Sequence, residues 1–403
     1  VASSVLEGLI VENSSKIVLL VLDGVGDLPD PAREGKTPLE AARTPNLDAL
    51  VPGSAQGRIV PVAPGVTPGS GPGHIALFGY DPLETKVGRG VLEAIGAEVA
   101  LEPGDVAARA NFCTVNESGT VIDRRAGRID GDAAAKLVDR LREEASRFDG
   151  VSVVLKAGKQ HRFVAVLRGT DLDGEVSDAD PHVEGKPIPA AAALRPSAEK
   201  TARVANAFVA RAKEVLAREK KANAALLRGF SSRPAWPGYR QRFKLRAAVL
   251  AAYPMYRGVA QLAGMTVLPA GETPDEAFAA AAASWDEFDY FFIHVKGTDM
   301  AGEDGDFAAK VRAIEAVDAA LPRLLAARPD VLCVTGDHST PVPMRAHSWH
   351  PVPVLIHARH AGADGATRFH ERNARAGSLG DLRSCDLIAL LLANAGRLDK
   401  YGA

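Results

Sequence analysis

The chain has 403 residues, of which 46% are hydrophobic and 24% charged, a globular composition that excludes wholesale disorder and a collagen-like fibre. Lys and Arg number 48 against 50 Asp and Glu, a net charge of -2, so neither nucleic acid nor an anionic membrane is an expected partner. Any phosphate site then has to come from a local cluster of guanidiniums.

Residues 1–15 read as a short leader that lacks the basic-then-apolar pattern of a signal peptide. Ile17–Leu22 is continuously apolar, as in a strand covered on both faces, and is far too short to span a membrane. A helix is expected from Pro38 to Leu50. The middle of the chain alternates more and reads as antiparallel strands at 106–112, 119–122, 151–155 and 162–167, the last two joined by a turn at 158–161. Helices are expected at 132–147 and at 197–221, the second capped by Ser197. Beyond it, apolar runs recur at Tyr290–Val295, Val331–Thr335 and Val352–Ile356, with helices expected at 273–285, 306–327 and 379–395. The expected fold is α/β. A mostly parallel sheet with helices on both faces, from residues 1–100 and 224–403, carries an inserted smaller α+β cap over 101–223. Cys113, Cys333 and Cys385 are odd in number and form no CxxC pair, which argues for free thiols and a cytoplasmic location.

Open α/β sheets bind ligands outside the carboxyl ends of their strands. Asp23 follows the first apolar run, Lys296-Gly297-Thr298-Asp299 follows Tyr290–Val295, and Gly336-Asp337-His338 follows Val331–Thr335. A lone Asp in such a place commonly caps the next helix, and Asp304 and Asp306 are read that way. Three together, with His338 and a further His347, would repel one another and raise their own pKa values unless a cation lay among them. Hard oxygen and imidazole donors suit a divalent metal. His294, inside an apolar run, is expected in the core or beside a ligand rather than on the metal.

Thr67–His74 is a Gly- and Pro-rich turn that leads into the apolar stretch Ile75–Phe78. Ser70, at the start of a helix, is open to two readings, a capping serine or a nucleophile. A nucleotide P-loop is discounted because no Gly-Lys-Ser/Thr follows. A nucleophilic serine needs a base or a metal to activate it, and no Ser-His-Asp relay is evident nearby. Arg124, Arg125 and Arg128 cluster after Asp123, and Arg109, the His161-Arg162 pair, Arg228 and Arg257 are further candidates. Each alone reads as a surface or salt-bridge residue, although planar, permanently charged guanidinium suits phosphate or carboxylate.

Several motifs are more specific: LDGVGD at 22–27, TPLEAARTPNLDAL at 37–50, GSGPGHIALFGYDP at 69–82, GRGVLEAIG at 88–96, DRRAGRI at 123–129, KGTDMAGEDGD at 296–306, GDHSTP at 336–341 and PVPVLI at 351–356. With these the chain resembles the cofactor-independent (2,3-bisphosphoglycerate-independent) phosphoglycerate mutases of the short archaeal-type branch, in the alkaline-phosphatase-like metalloenzyme superfamily. The resemblance runs from about residue 16 to 396. It implies two divalent ions, one held by Asp23, Ser70, Asp337 and His338, the other by Asp299, position 303 and His347. Ser70 matches the family's nucleophile, and Asp123, Arg124, Arg128, His161, Arg228 and Arg257 are implied as substrate contacts. Two positions depart from the pattern. Glu303 stands where the family has His, which either hardens the site toward Mn²⁺ or Mg²⁺ over Zn²⁺ or leaves the side chain facing away. Gly71-Pro72-Gly73 follows the serine where the family has an acidic or polar residue.

The resemblance thus implies a cytoplasmic isomerase that interconverts 2-phosphoglycerate and 3-phosphoglycerate through a phosphoserine. The alternative is a metal-dependent phosphomonoesterase or mutase acting on another small phosphate ester, because nucleophile and metals would be shared. A third reading, a non-catalytic binding relative, has only Glu303 in its favour.

Overall fold

Apolar runs without alternation become strands where both faces are covered. The computed structural model describes residues 3–85 and 87–402. In chain order its strands are β1 (Ile17–Leu22), β2 (Ser54–Val60), β3 (Val106–Val115), β4 (Val121–Asp123), β5 (Arg147–Phe148), β6 (Val151–Ala157), β7 (Arg162–Arg168), β8 (Ala224–Ser232), β9 (Ala247–Leu250), β10 (Thr266–Leu268), β11 (Tyr290–Val295), β12 (Val331–Thr335), β13 (Val352–Ala358) and β14 (Gly380–Arg383). The chain forms two units, one of residues 1–85 with 236–403, the other of residues 86–235.

The larger unit holds an eight-stranded sheet in the order β10-β9-β11-β1-β12-β13-β2-β14. β1 is buried along its whole length and runs parallel to both neighbours, with Leu22 opposite Val295 and Val21 opposite Thr335. The sheet is mostly parallel, but β13 is antiparallel to both β12 and β2. A run buried on both faces looks the same in either direction, so the sequence pattern could not distinguish them.

Two expected helices are not continuous. Pro38–Leu50 divides into Pro38–Ala41 and Pro45–Asp48, because Pro45 has no N–H to continue the first helix and starts a new one. The first piece opens with a capping box between Thr37 and Glu40. The stretch 379–395 starts instead as β14, parallel to β2, and only Leu387–Asn394 is α-helical. Elsewhere the expected helices form with trimmed ends, at Pro274–Ala283 with a Thr273–Glu276 capping box and at Phe307–Ala326 with Asp306 as its cap.

The smaller unit is an antiparallel sheet in the order β4-β3-β7-β6-β5, with β8 also paired to β3. Its core joins Phe112 and Phe163 from the strands to Leu137, Val138 and Leu141 of helix Gly131–Glu144 and to Val204 and Phe208 of helix Glu199–Val215. Ser197 does not cap that last helix: it sits in a 3-10 turn, and its hydroxyl donates to Asp173. The unit's limits lie at 85/86 and 235/236, outside the expected 100/101 and 223/224, for two reasons. β8 pairs with β3, and helix Arg89–Gly96 presses so close to β3 that a Cβ on Gly90 would lie 2.0 Å from the Ala107 carbonyl oxygen. Among the described residues, no helix is long and apolar enough to cross a membrane.

Candidate active site

Because β11, β1 and β12 are adjacent and parallel, their carboxyl ends open side by side. Asp23, Asp299 on helix Gly297–Asp304, Asp337 and His338 are all fully buried there. Gly24 makes the crowding feasible: its φ is +62°, and a Cβ would lie 2.4 Å from Thr340 Oγ1 and 2.8 Å from Asp299 Oδ1. Two groups of donor atoms result, Asp23–Asp337–His338 and Asp299–His338–His347, each with its atoms within 4.8 Å of one another. His338 belongs to both. The rings of His338 and His347 stack with centroids 3.7 Å apart.

These donors fit a divalent cation. His338 Nε2 is 3.2 Å from Asp23 Oδ1 and 3.2 Å from Asp337 Oδ2, yet none of these three atoms has a properly formed hydrogen bond among the described residues. Thr340 Oγ1 donates its one proton to the Asp299 carboxylate at 2.6 Å and lies 3.0 Å from His338 Nδ1. Nδ1–H therefore donates to Thr340, which leaves Nε2 as the nitrogen that faces the two carboxylate oxygens. That is the arrangement in which an imidazole ligates a metal, its other nitrogen held by a neighbour.

The electrostatics agree. Burial pushes the Asp23 carboxyl up, but the hydrogen bond from His294 and the charge of His338 outweigh it and hold Asp23 well below the usual carboxylate range. Asp337 is pushed far up by burial and by Asp23 beside it. Burial pulls His338 down, but Asp337 and Asp23 overcome it and raise the ring to about 9. On its own side chains the pocket draws in a proton, and a divalent cation supplies the same positive charge.

Ser70 is the first residue of helix Ser70–Leu77 and follows Gly69 at the cap position, so it is not a capping serine. Its carbonyl accepts from His74 Nδ1 at 2.8 Å, and the same ring nitrogen lies 3.3 Å from Asp337 Oδ2. Through His74 the backbone of Ser70 is thus linked to the donor carboxylate of Asp337. The His74 ring in turn stacks on Tyr256, with centroids 4.0 Å apart. The Tyr256 phenol donates to Asp23 Oδ2 at 3.0 Å and accepts from Lys296 Nζ at 3.1 Å. Burial and the nearby Asp23 and Asp337 charges raise the Tyr256 pKa, so the phenol keeps its proton. Lys296 also bridges Asp23, at 2.9 Å, and Asp299. His294 touches Asp23 at 3.1 Å rather than joining a donor group, as its place inside an apolar run implies. Glu303 is not in either donor group either: it is 55% exposed, and its carboxylate lies 3.8 Å from His347 Nε2.

The smaller unit carries a cavity of about 280 Å³ walled by Arg124, Arg125 and Arg128, by His161 and Arg162 with Gln160, and by Arg109, Asn111 and Arg228 on β3 and β8. Buried Asp180 orders it, taking a two-pronged bond from Arg124 and lying 3.8 Å from Arg228. Arg109 Nε, Arg228 Nε, Asn111 Oδ1 and His161 Nδ1 are buried there without a hydrogen-bond partner among the described residues. Burial lowers the pKa of Arg109 and of Arg228, and the Arg228 charge adds to the effect on Arg109. A bound anion relieves both strains. Asp123 is not in the wall; its carboxylate accepts from the Arg125 and Gly127 N–H groups and closes its own turn. Arg257 belongs to the larger unit, on helix Pro254–Leu262 next to Tyr256.

His161 in this cavity is held down to about 4, first by burial and then by Arg162, Arg109 and Arg125. The unfolded chain binds that proton from about pH 6.5 downward, so folding stability is complete above this pH and falls as pH drops toward 4. His161→Gln is expected to flatten that part of the acid limb in denaturant melts taken between pH 7 and 4. An unchanged difference between parent and variant across the window would contradict the depressed value.

Tyr256, Asn111 and Asp180 carry no signal in the sequence, and Lys296 and Gln160 lie in segments that the sequence singles out without a role of their own. Tyr256 sits in an ordinary amphipathic helix, and Asp180 in a loop with no motif.

Comparison with known proteins identifies the class. A family model described as 2,3-bisphosphoglycerate-independent phosphoglycerate mutase matches residues 53–222. A protein of Thermotoga neapolitana named "Probable 2,3-bisphosphoglycerate-independent phosphoglycerate mutase" is 49% identical over 395 residues, 98% of each chain. A protein of the same name from Thermus thermophilus is 50% identical over 403 residues, 99% of each. The solved structure of the cofactor-independent phosphoglycerate mutase from Thermoplasma acidophilum superposes with a TM-score of 0.83 at 30% identity, covering 95% of this chain and 100% of that one. These are isomerases. The chain belongs to the 2,3-bisphosphoglycerate-independent phosphoglycerate mutase family.

Proposed function

We propose that this enzyme interconverts 2-phosphoglycerate and 3-phosphoglycerate, without 2,3-bisphosphoglycerate, through a phosphoserine at Ser70. The observation that carries the reading is the cluster of Asp23, Asp337 and His338 beside the helix that Ser70 opens, whose His74 Nδ1 lies 2.8 Å from the Ser70 carbonyl oxygen and 3.3 Å from Asp337 Oδ2. Asp23, Asp337 and His338, with Ser70, would hold one divalent ion, and Asp299 and His347 a second, with Glu303 3.8 Å from His347 Nε2. Hard donors favour Mn²⁺ or Mg²⁺. Such ions, when bound, lower the pKa of the serine hydroxyl and spread the charge of an in-line phosphoryl transfer.

The residues of the chain divide the remaining work. Tyr256 holds Asp23 and takes a bond from Lys296; it stays protonated and is not the base. Ser70 Oγ attacks phosphorus, the bond from phosphorus to the glycerate oxygen breaks, and that oxygen ends with the proton that Ser70 gave up. The glycerate turns, its other hydroxyl attacks the phosphoserine, and the proton returns to Ser70. Arg124, Arg128, His161 and Arg228 are the recognition residues, with Arg109 and Asn111 beside them, and guanidiniums gathered in this way suit an acid that carries both a carboxylate and a phosphate. Asp123 shapes the turn that carries Arg124 and Arg128. Arg257 is proposed to contact substrate from the larger unit. Three unpaired thiols, Cys113, Cys333 and Cys385, support a reducing, cytoplasmic setting.

An enolase-coupled assay starting from 3-phosphoglycerate tests the proposal. Turnover is expected with Mn²⁺ and no added bisphosphoglycerate, and none after chelation. Faster turnover of a phosphopentose or an aryl phosphate by the same preparation would replace this reading with a general phosphate-ester enzyme.

A further inference from the structure

Lys310, on helix Phe307–Ala326, is fully buried, and its ammonium is spent entirely inside the protein. It donates to Gly24 O at 2.8 Å, Asp27 Oδ2 at 2.8 Å and Thr340 O at 2.9 Å, with Gly26 O at 3.4 Å. Gly24, Gly26 and Asp27 lie in the loop after β1, which begins with Asp23. Thr340 lies in the loop after β12, which begins with Gly336-Asp337-His338. The two loops also meet where Thr340 N–H is shared by Gly24 O and Gly26 O, and where Val342 N–H reaches the Asp27 carboxylate.

A buried Lys–Asp pair is an expensive way to fill a core, and well-packed apolar side chains commonly do as well or better. Burial pushes Lys310 down and Asp27 up, each opposed by the charge of the other. What an ammonium does here that a methyl group cannot is hold carbonyls of two segments more than 300 residues apart in sequence. It touches none of the candidate metal donors itself. It reaches them through the backbone just beyond Asp23 and through Thr340, whose hydroxyl holds both Asp299 and the Nδ1 of His338.

We infer that Lys310 is a positioning residue that sets the separation of the two donor-bearing loops and thereby the affinity of the site for its metal. The inference rests on the reading of Asp23, Asp337 and His338 as metal donors. It places the role in a residue outside the donor groups, the nucleophile and the arginine cavity.

The test is calorimetric titration of Mn²⁺ into chelator-stripped protein, comparing the parent with Lys310→Met. The double variant Asp27→Asn/Lys310→Met removes both buried charges together and keeps the question open should the single variant not fold. Circular dichroism and thermal melts establish that each is folded. In the folded variants the Mn²⁺ affinity is expected to fall by about 10- to 100-fold, and the KM for 3-phosphoglycerate at saturating Mn²⁺ to move by less than about twofold. A purely structural lysine would lower the melting temperature and leave the isotherm in place, and that result in a folded variant overturns the inference. A parent that binds no Mn²⁺ would instead overturn the metal reading on which it stands.

Discussion

Ser70→Ala is expected to fold, to bind Mn²⁺, and to lose turnover of 3-phosphoglycerate by at least about 10⁴-fold, the scale on which removal of an attacking group acts. The helix that Ser70 opens does not depend on its hydroxyl, because the residue at the cap is Gly69 and the His74 ring is held by the Ser70 carbonyl. Alanine keeps that carbonyl and a better helix propensity. Tyr256 keeps its bonds to Asp23 and Lys296, so the donor carboxylate stays where it is. The loss therefore falls on chemistry rather than on architecture. The coupled assay measures it, and Mn²⁺ titration with a thermal melt checks that nothing else has changed. Residual turnover within tenfold of the parent would end the phosphoserine route.

His338→Ala is the second large effect. Its Nε2 faces Asp23 and Asp337 at 3.2 Å each and its ring stacks on His347, so the truncation removes a donor from one group and the packing that holds a donor of the other. Mn²⁺ affinity is expected to fall at least about 100-fold, and protein desalted after loading should retain less than half of the parent's metal by elemental analysis. The variant also leaves Asp23 and Asp337 buried and facing each other without a cation, so it should melt lower than the parent in chelator. Retention of the parent's full metal content would remove His338 from the metal donors.

Much of this centre was legible in the sequence because the sheet makes it so. Asp23, Asp299 and the Asp337-His338 pair each follow an apolar run, and central parallel strands deliver whatever follows them to one edge. The departures have physical reasons. A run buried on both faces carries no direction, which hid the antiparallel β13. Pro45 inside an otherwise helical pattern marked a break that periodicity alone passed over. Glu303 keeps the spacing of a donor but ends exposed beside His347. Tyr256 and Lys296 act through positions that only the three-dimensional packing brings to Asp23, and Lys310 reads as one more charged residue on an amphipathic helix. Asp180 shows the same limit in the smaller unit, where a loop aspartate organises arginines from two other segments.

The placement of β1 between β11 and β12 also constrains how the site comes into being. Its groups sit at positions 23, 70, 299, 337, 338 and 347, and none of the pairings that gather them is local. During synthesis a chain stopped before residue 331 lacks β12 and has nothing to oppose one side of β1. Such a nascent chain can carry a finished smaller unit, whose residues 86–235 are contiguous, and still have no assembled reaction centre. Assembly of this sheet involves long loop closures, which are slow, and phosphate-ester chemistry is switched on only as the last central strand docks.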